Sequence, residues 1–206
     1  ETKNKEEDYY KCFSQLPKDA GYTTINISSP NTEGLRNFHD QNQMKKLLSG
    51  LNKIKKEKKL GQPIAIKLSP DIDDSEVSRI VELVKSQNIQ GIIVSNTTDS
   101  NRENLSDLKK KEIGGLSGKP LKDISTKLIK KFYKETKGEV KIIGVGGVDS
   151  GESAFEKIAA GADAIQLYTG MVYKGPGIVK EIKKELISIL KKENIKNIGE
   201  AVGINA

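Results

Sequence analysis

The stretch KIIGVGGVDSGESAFEKIAAGADAIQL, from Lys141 to Leu167, holds one complete strand–helix–strand unit. It opens with an apolar run that ends in two glycines, and a helical stripe marked by Phe155 and Ile158 follows. Gly161 signals the end of this helix, and a second apolar run comes directly after it. A strand, an amphipathic helix and a further strand in this order predict two parallel strands joined by a helical crossover.

The same unit recurs along the rest of the chain. Apolar runs predict strands at residues 23–27, 64–68, 91–94, 141–145 and 164–167. Asp73 with Glu76 three residues later forms a capping-box pattern before one helix, and Pro176 precedes the last one. Apolar residues at helical spacing form the remaining stripes: Met44, Leu47, Leu48, Leu51 and Ile54; Val77, Ile80, Val81 and Val84; Leu128 and Phe132; Val179, Ile182, Leu186 and Ile189.

These repeats predict a parallel α/β fold. The strands are near-continuous apolar runs, which is typical of a parallel sheet that is covered on both faces. Periodicity alone leaves two closures open, an open doubly wound sheet and a (β/α)8 barrel. In both, ligands bind at the carboxyl ends of the strands, so the polar residues that follow each strand form the candidate site.

Composition fits one globular domain, since charged residues make up 31% and hydrophobic residues 35% of the 206-residue chain. The net charge is +7, but only Arg36, Arg79 and Arg102 are arginines. Lysines spread along the chain indicate solvated helix faces, whereas nucleic-acid sites favour arginine forks, so no nucleic-acid partner is expected. No apolar run is long enough to span a bilayer, and the charged first residues indicate no targeting segment in this chain.

The single cysteine and the single histidine exclude several classes of site. Cys12 has no partner for an internal disulfide, and its helical spacing with Phe13 and Leu16 favours a place in the core or an interface. His39 lies in a polar loop that leads into a helix, where we expect no function. With one histidine in this position no Ser/His/Asp triad is expected, and no Cys/His cluster has the spacing of metal ligands.

The first two strand ends carry residues that suit a planar, imide-like ligand and a negative charge. After the first strand, Asn26, Asn31 and a serine pair offer donors and acceptors, although a plain polar turn uses the same residues. Lys67 lies within the second strand, where a lysine must reach either a charge or the solvent. Two interpretations of Lys67 stay open: it binds a negative ligand at the strand end, or its side chain extends to the solvent at the rim.

The later strand ends carry hydrogen-bonding groups and glycine. Residues 95–98, of sequence SNTT, follow the third strand, and the segment GGLSGKPL at 114–121 comes after a longer excursion. Glycine there permits close approach of the backbone to a ligand, although a flexible connector has a similar composition. The fourth and fifth strands run into Gly146-Gly147 and Tyr168-Thr169-Gly170. Glycine-rich loops on two successive strand ends form phosphate sites in many barrels.

Taken together, these strings resemble the dihydroorotate dehydrogenase family. Residues 25–36, INISSPNTEGLR, resemble its active-site segment, and residues 95–98, 114–121, 142–148 and 166–169 match the family in the same order. The resemblance covers about Asp8 to Gly203. It implies a (β/α)8 TIM barrel that binds FMN and oxidises dihydroorotate to orotate in pyrimidine (UMP) synthesis. Class 1 members carry a cysteine as base in this segment and quinone-linked class 2 members a serine, so Ser29 implies class 2.

The resemblance also implies a role for each strand-end residue. Ser29 is expected to be the catalytic base, with Thr32 helping to relay the proton. The residues expected to hold the substrate are Asn26, Asn31, Asn96 and Thr97. The residues expected to contact FMN are Asn26, Lys67, Ser95, Ser117 and Gly118, with Gly146, Gly147, Tyr168 and Thr169 at its phosphate. No metal site is expected.

Only the last five βα units of such a barrel are recognisable in residues 1–206. The first three strands and the helices of the quinone tunnel are expected to precede Glu1, so we interpret the chain as one partial FMN-binding barrel domain. A five-stranded arc leaves two open sheet edges, which favours self-association and weak FMN binding by the isolated chain. The resemblance implies a quinone partner and a peripheral place on an inner membrane, cytoplasmic or mitochondrial.

Two alternatives stay open. One is an inactive half-barrel that only binds phosphate ligands or self-associates. The other is a flavin barrel reductase of the dihydropyrimidine or dihydrouridine type. Such enzymes resemble this segment less and generally use cysteine, so Ser29 counts against them.

Overall fold

Strands and helices alternate along the part of the chain that the structure, a computed structural model, describes: residues 4–15, 20–100, 102–103 and 105–206. The strands are β1 Thr23–Asn26, β2 Ile64–Leu68, β3 Gly91–Val94, β4 Lys141–Val145 and β5 Ala164–Gln166. The α-helices are α1 Lys5–Gln15, α2 Gln41–Glu57, α3 Asp74–Ser86, α4 Lys122–Thr136, α5 Gly151–Ala159, α6 Thr169–Lys174 and α7 Ile178–Lys192. Short 3-10 helices occupy Leu35–His39, Leu108–Lys111, Lys119–Leu121 and Ile198–Ala201.

Side chains define where three of the helices begin. The carboxylate of Asp40 accepts hydrogen bonds from two backbone N–H groups at the start of α2. At α3, Asp73 and Glu76 form the capping box that their spacing predicts. Ser150 and Ser153 form another at α5. These side chains satisfy N–H groups that have no partner within the first helical turn, so each helix starts at a defined residue.

The strands form one parallel sheet in the order β1-β2-β3-β4-β5. Ile25 pairs with Ile66, Ile66 with Ile92, and Ile92 with Ile142. Each strand therefore lies beside its neighbours in sequence, with a helix in every crossover. A doubly wound sheet reverses its strand order at a switch point, whereas a barrel does not. This order confirms the predicted parallel α/β fold and fits an arc of a barrel.

The core lies between the sheet and the helices that cover it. Its larger cluster joins side chains of β1 to β4 with the apolar faces of α2, α3 and α4. A smaller cluster joins α5 to α7 through Ala154, Ile178 and Ile182. Most of the predicted helical stripe residues are buried here, namely Met44, Leu47, Leu48, Leu51, Val77, Ile80, Val81, Val84, Leu128, Phe132 and Ile182.

Some details differ from the sequence prediction. β2 and β3 are buried along nearly their whole length, but β1 and β4 alternate between more and less buried residues. β1 is an edge strand and β4 borders only the three-residue edge strand β5, so less of the protein covers them. Cys12 is exposed, so a place in the core was wrong: the helix face that buries Phe13 directs Cys12 outward, and Leu16 lies outside the described residues. Val179 is exposed because α7 turns Ile178 and Ile182 inward. The six-residue helix α6 is too short to show a helical period in the sequence.

Candidate functional site

A cavity of about 460 Å³ opens at the carboxyl ends of β2 to β5. Parallel strands end at the same edge of a sheet, so the loops that follow them meet there. Ten predicted site residues line the cavity: Lys67, Ser95, Asn96, Thr97, Ser117, Gly118, Gly146, Gly147, Tyr168 and Thr169. Their convergence follows from their strand-end positions, and their individual roles stay predictions.

One wall of the cavity is a glycine turn packed on the start of α4. Gly146 and Gly147 have φ angles of 119° and 68°, which glycine adopts without strain. A Cβ on Gly147 would lie 2.7 Å from Lys122 Cβ and 2.8 Å from the Lys122 backbone nitrogen. A Cβ on Gly146 would lie 3.1 Å from Ser125 Cβ. Only glycine therefore lets this turn approach α4 so closely.

A second wall pairs the segment before α4 with the start of α6. Thr169 Oγ1 donates a hydrogen bond to Ser117 Oγ over 2.9 Å. Gly118 has a φ of 78°, and a Cβ there would lie 3.0 Å from Thr169 Cγ2. Tyr168 is largely exposed at the rim. Hydroxyl groups and closely approaching glycine backbone are the groups that bind phosphate where no side-chain cation is needed.

Lys67 is a half-buried cation in this cavity. Burial lowers the pKa of its ammonium group. Among the described residues, no carboxylate or carbonyl pairs with it. An unpaired, partly buried ammonium is costly, so the cavity suits a ligand that brings negative charge of its own. With the two glycine-bearing walls, this donor set fits FMN, the cofactor that the sequence resemblance implies.

Three polar side chains connect the end of β1 to the cavity. Asn96 Nδ2 donates to Asn26 Oδ1 over 3.2 Å and to Ser28 Oγ over 3.0 Å. Ser28 Oγ donates in turn to Asn26 Oδ1 over 3.2 Å. Asn26 does not line the cavity, but it is one hydrogen bond away from Asn96, which does. Ser28 is completely buried and sequence reasoning gave it no role, although it belongs to the serine pair of the β1 segment.

The loop after β1 carries the predicted base and lies beside the cavity rather than in its wall. Ser29 is half-buried, and its Oγ accepts a hydrogen bond from the backbone N–H of Asn31 over 3.3 Å. Asn31 and Thr32 are exposed and line a neighbouring groove of about 1190 Å³ along α1 and β1. A ligand in contact with both Ser29 and Lys67 therefore has to span the boundary between this loop and the cavity.

An arginine bridge ties the same loop to two other strand ends. Arg36 forms ion pairs with Asp71 at 3.1 Å and with Asp99 at 2.9 Å, and donates to the carbonyl of Thr97 over 3.4 Å. Asp71 follows β2 and Asp99 follows β3, so one guanidinium connects the loops after three successive strands. Arg36 belongs to the segment that resembles the family, but its partners are distant in sequence and were missed.

The cavity also brings in residues that sequence reasoning missed. Lys174 Nζ donates to the carbonyl of Asp149 over 2.8 Å and closes the outer end near α6. Neither residue carries a motif, and α6 itself was not predicted. The other lining residues, to which the sequence assigned no individual role, are Lys119, Leu121, Val145, Val148, Leu167, Gly170 and Tyr173.

His39 lies away from this cavity, in a pocket of about 330 Å³ between α2 and α3. Its Nε2 is buried without a hydrogen-bond partner in the described part of the chain. Burial, and secondly the charge of Arg36, lower the pKa of His39 to about 4. The imidazole is therefore neutral at pH 7. The expected lack of a function for His39 stays a prediction.

Stability should fall in acid because His39 must then take up a proton that the folded state disfavours. Its folded pKa of about 4 lies below the ordinary value of 6.5. The contribution of neutral His39 to the free energy of unfolding is thus fully present above pH 6.5, the ordinary pKa, and is lost as the pH falls toward the folded-state pKa of about 4. The loss should reach about 3 kcal/mol, at about 1.4 kcal/mol per pKa unit. Urea unfolding across this pH range measures the change.

The control for this pH dependence is His39→Gln, which removes the only histidine of the chain. Carboxylates titrate alike in both proteins, so the difference between their pH slopes isolates the imidazole. The variant should lose less stability than the unmodified protein as the pH falls. Identical slopes in the two proteins would contradict the assignment of a neutral, buried His39.

The described residues offer neither a metal site nor a membrane-spanning helix. In residues 4–15, 20–100, 102–103 and 105–206, no group of three or more His, Cys, Asp or Glu side chains is arranged to bind a metal ion. Within the same ranges, no helix combines the length and the apolar character that crossing a membrane requires.

Comparison with known proteins assigns this geometry to one family. The family model described as Dihydroorotate dehydrogenase matches residues 1–190. A dihydroorotate dehydrogenase (quinone) of Trichodesmium erythraeum is 43% identical over 205 residues, which are 96% of this chain and 53% of the relative. A mitochondrial dihydroorotate dehydrogenase (quinone) of Arabidopsis thaliana is 40% identical over 201 residues, which are 95% of this chain and 44% of the relative.

Solved structures show the same fold. A crystal structure of DHODH of Eimeria tenella in complex with ferulenol matches with a TM-score of 0.95 at 34% identity, over 99% of this chain and 59% of that one. The chain spans about half the length of the curated relatives it matches. Periodicity left two closures open, a doubly wound sheet and a barrel. These neighbours are barrels, so the five βα units of this chain form an arc of a barrel. By sequence and by structure, this chain belongs to the dihydroorotate dehydrogenase family.

Proposed function

We propose that this chain carries part of an enzyme that oxidises dihydroorotate to orotate with bound FMN and passes the electrons to a quinone, in pyrimidine (UMP) synthesis. The observation that carries the proposal is the convergence on one cavity of a glycine turn, polar strand ends and a lysine that has no partner among the described residues. Family membership supports the reaction class, and the quinone in the names of the relatives supports the acceptor.

FMN is proposed to lie across the ends of β2 to β5. Gly146, Gly147, Tyr168 and Thr169 would bind its phosphate, mainly through backbone N–H groups. Lys67 would lie at the pyrimidine edge of the flavin, where its ammonium favours the negative charge that develops on reduction. The further contacts with FMN are proposed for Asn26, Ser95, Ser117 and Gly118.

The substrate is proposed to lie between this cavity and the loop after β1. Dihydroorotate presents ring amides and a carboxylate, which need both donors and acceptors. Asn26, Asn31, Asn96 and Thr97 would supply them. Hydrogen bonds with Ser28 and with each other already hold Asn26 and Asn96, so little side-chain ordering remains to be done when the substrate binds.

The proton at C5 of dihydroorotate is proposed to go to Ser29 Oγ. When bound, FMN supplies the acceptor for the hydride that leaves C6. A serine hydroxyl is a weak base, so Ser29 must pass on its own proton as it accepts another. Thr32 is exposed and three residues away, which suits a relay to solvent. The Arg36 bridge limits the positions of this loop and so of Ser29.

The whole chain, residues 1–206, is proposed to form one partial FMN-binding barrel domain, with three further strands and the quinone-tunnel helices outside it. Self-association through the open sheet edges stays a prediction. A peripheral place on an inner membrane, cytoplasmic or mitochondrial, is proposed on the grounds that relatives from Arabidopsis thaliana and Mus musculus are named mitochondrial.

The test is a visible spectrum of the protein after incubation with FMN and desalting, followed by anaerobic addition of dihydroorotate. We expect only part of the flavin band to be retained, because the open sheet edges weaken FMN binding. The retained band should bleach with substrate, because the cavity and the loop after β1 together hold the proposed contacts to both ligands. Orotate added beforehand should slow the bleaching. A retained band that does not bleach would favour the phosphate-binding half-barrel, and bleaching by dihydrouracil or dihydrouridine instead would favour the other flavin reductases.

A further inference from the structure

Lys157 is completely buried, with a relative exposure of 0%. It lies on α5, and its side chain reaches α4. Lys157 Nζ donates hydrogen bonds to the carbonyl of Lys122 over 3.1 Å and to Thr126 Oγ1 over 2.9 Å. Both acceptors are uncharged. The neighbouring carboxylate of Glu156 pairs instead with Lys122 Nζ, at 2.8 Å.

Burying this ammonium is costly. A charge taken out of water costs several kcal/mol unless a counter-ion and hydrogen bonds offset the loss. Desolvation is the main reason that the pKa of Lys157 falls to about 8, which still leaves the group mostly protonated at neutral pH. A methionine would fill similar space without that cost. A buried cation with neutral partners therefore calls for a task that needs its charge or its hydrogen bonds.

The hydrogen bonds of Lys157 fix the first turn of α4. The Lys122 carbonyl accepts from Lys157 Nζ and also from Thr126 Oγ1, over 2.8 Å. A few residues on, Ser125 Oγ bonds to the carbonyl of Val94 over 3.3 Å, at the end of β3. The turn is thus tied to α5 on one side and to the sheet on the other.

This first turn of α4 is the surface on which the glycine turn of the cavity rests. The Lys122 backbone approaches Gly147 closely enough to exclude any Cβ there, and Ser125 limits Gly146 in the same way. A shift of Lys122 would therefore move the Gly146-Gly147 backbone. Lys157 reaches the Lys122 carbonyl from α5 and does not itself line the cavity.

We infer that Lys157 is the positioning residue of the phosphate-binding turn: it holds α4 under Gly146 and Gly147, and its buried positive charge favours a phosphate monoester bound in front of them. The inference rests on the proposed FMN site and deepens it. Lys157 touches no ligand and acts through Lys122. Its effect concerns the phosphate of the ligand and not the flavin ring.

Comparing FMN with riboflavin separates these two parts of the ligand. Lys157→Met should weaken FMN binding by about tenfold and leave riboflavin binding nearly unchanged. A tenfold loss corresponds to the usual free-energy contribution of one hydrogen bond to a charged group. Lys127→Met is the matched control, because it removes the same charge from an exposed position on α4. Fluorescence titration gives both dissociation constants. An equal loss for both flavins would show a merely structural role and overturn the inference.

The affinity ratio of the two flavins should also depend on pH. A bound phosphate dianion favours the protonated form of Lys157. The affinity for FMN divided by the affinity for riboflavin should therefore fall as the pH rises through about 8, and it should stay constant in Lys157→Met. The charged groups that face Lys157 are Lys122 and Asp123 on α4 and Glu156 on its own helix. The hydrogen bond to Glu156 raises the pKa of Lys122, so Lys122 stays charged over this range. A slope that persists in the variant would contradict the role of Lys157.

Two measurements without flavin, amide hydrogen exchange and phosphate binding, test the role of Lys157 even if the protein binds no FMN. In ligand-free protein, Lys157→Met and the milder Thr126→Val should both speed amide hydrogen exchange at residues 119–126 and 144–148, while Lys127→Met should not. Inorganic phosphate, followed by the amide signals of Gly146 and Gly147, should bind more weakly to both variants. Unchanged exchange and phosphate binding would overturn the inference. Absence of flavin binding by the unmodified protein would refute only the proposed function.

Discussion

Replacing Ser29 with alanine should slow the reduction of bound flavin by dihydroorotate by about 10² to 10⁴-fold, the usual contribution of a positioned general base. The substitution removes the proposed proton acceptor and one hydrogen bond within its own loop, from the Asn31 N–H. It leaves the cavity wall intact, so FMN affinity should not change. Anaerobic stopped-flow absorbance of the flavin-loaded protein measures the rate.

Ser29→Cys and Ser28→Ala show whether the loss reflects proton transfer. A thiol ionises near pH 8.5, so Ser29→Cys should recover part of the rate, and more of it as the pH rises. Ser28→Ala removes a buried hydroxyl that supports Asn26 and Asn96, so it should weaken substrate binding more than it slows the reaction. A Ser29→Ala protein that reduces flavin at the unmodified rate would assign the base to another residue.

Gly147→Ala should be strongly damaging for so small a substitution. The new Cβ would meet Lys122 at 2.7 Å, on a backbone whose φ of 68° alanine adopts only with strain. Strain and overpacking together should lower the free energy of unfolding by about 2 to 6 kcal/mol. The turn would also move away from α4, so FMN should be lost on desalting. Urea unfolding and flavin retention measure the two effects.

Gly61→Ala serves as the control for this substitution. No atom lies within 4 Å of a Cβ built on Gly61, and its φ is outside the left-handed range. Alanine there should leave stability unchanged or raise it by about 0.4 to 1 kcal/mol. If Gly147→Ala behaved like Gly61→Ala, the close packing of the glycine turn on α4 would be wrong.

The sequence predicted the sheet and most of the cavity because both depend on local signals. Apolar runs define β2, β3 and β4 with the bounds that the structure shows. Once the strands are parallel, Lys67, Ser95 and Gly146 must converge, since each follows or ends a strand at the same edge of the sheet. The capping box of Asp73 and Glu76 is equally local, and the structure confirms it.

The remaining features depend on contacts between distant segments, which local patterns do not encode. Arg36 belongs to the recognisable β1 segment, but Asp99 lies 63 residues away. Lys157 stands next to the apolar stripe of α5 and looks like an ordinary polar position until α4 covers it. The prediction that Cys12 lies in the core was wrong because a single step along α1 separates the exposed Cys12 from the buried Phe13.

The strand order has a further consequence, for the entropy of chain closure during folding. Pairing β4 with β5 joins Ile143 to Ala164, 21 residues apart, whereas pairing β3 with β4 joins Ile92 to Ile142, 50 residues apart. Loop entropy grows with the logarithm of this separation, so the shorter closure costs about 0.8 kcal/mol less. Chain entropy therefore favours assembly that starts with the β4-α5-β5 unit. The segment with the shortest path to native contacts is also the one that carries the glycine turn and Lys157.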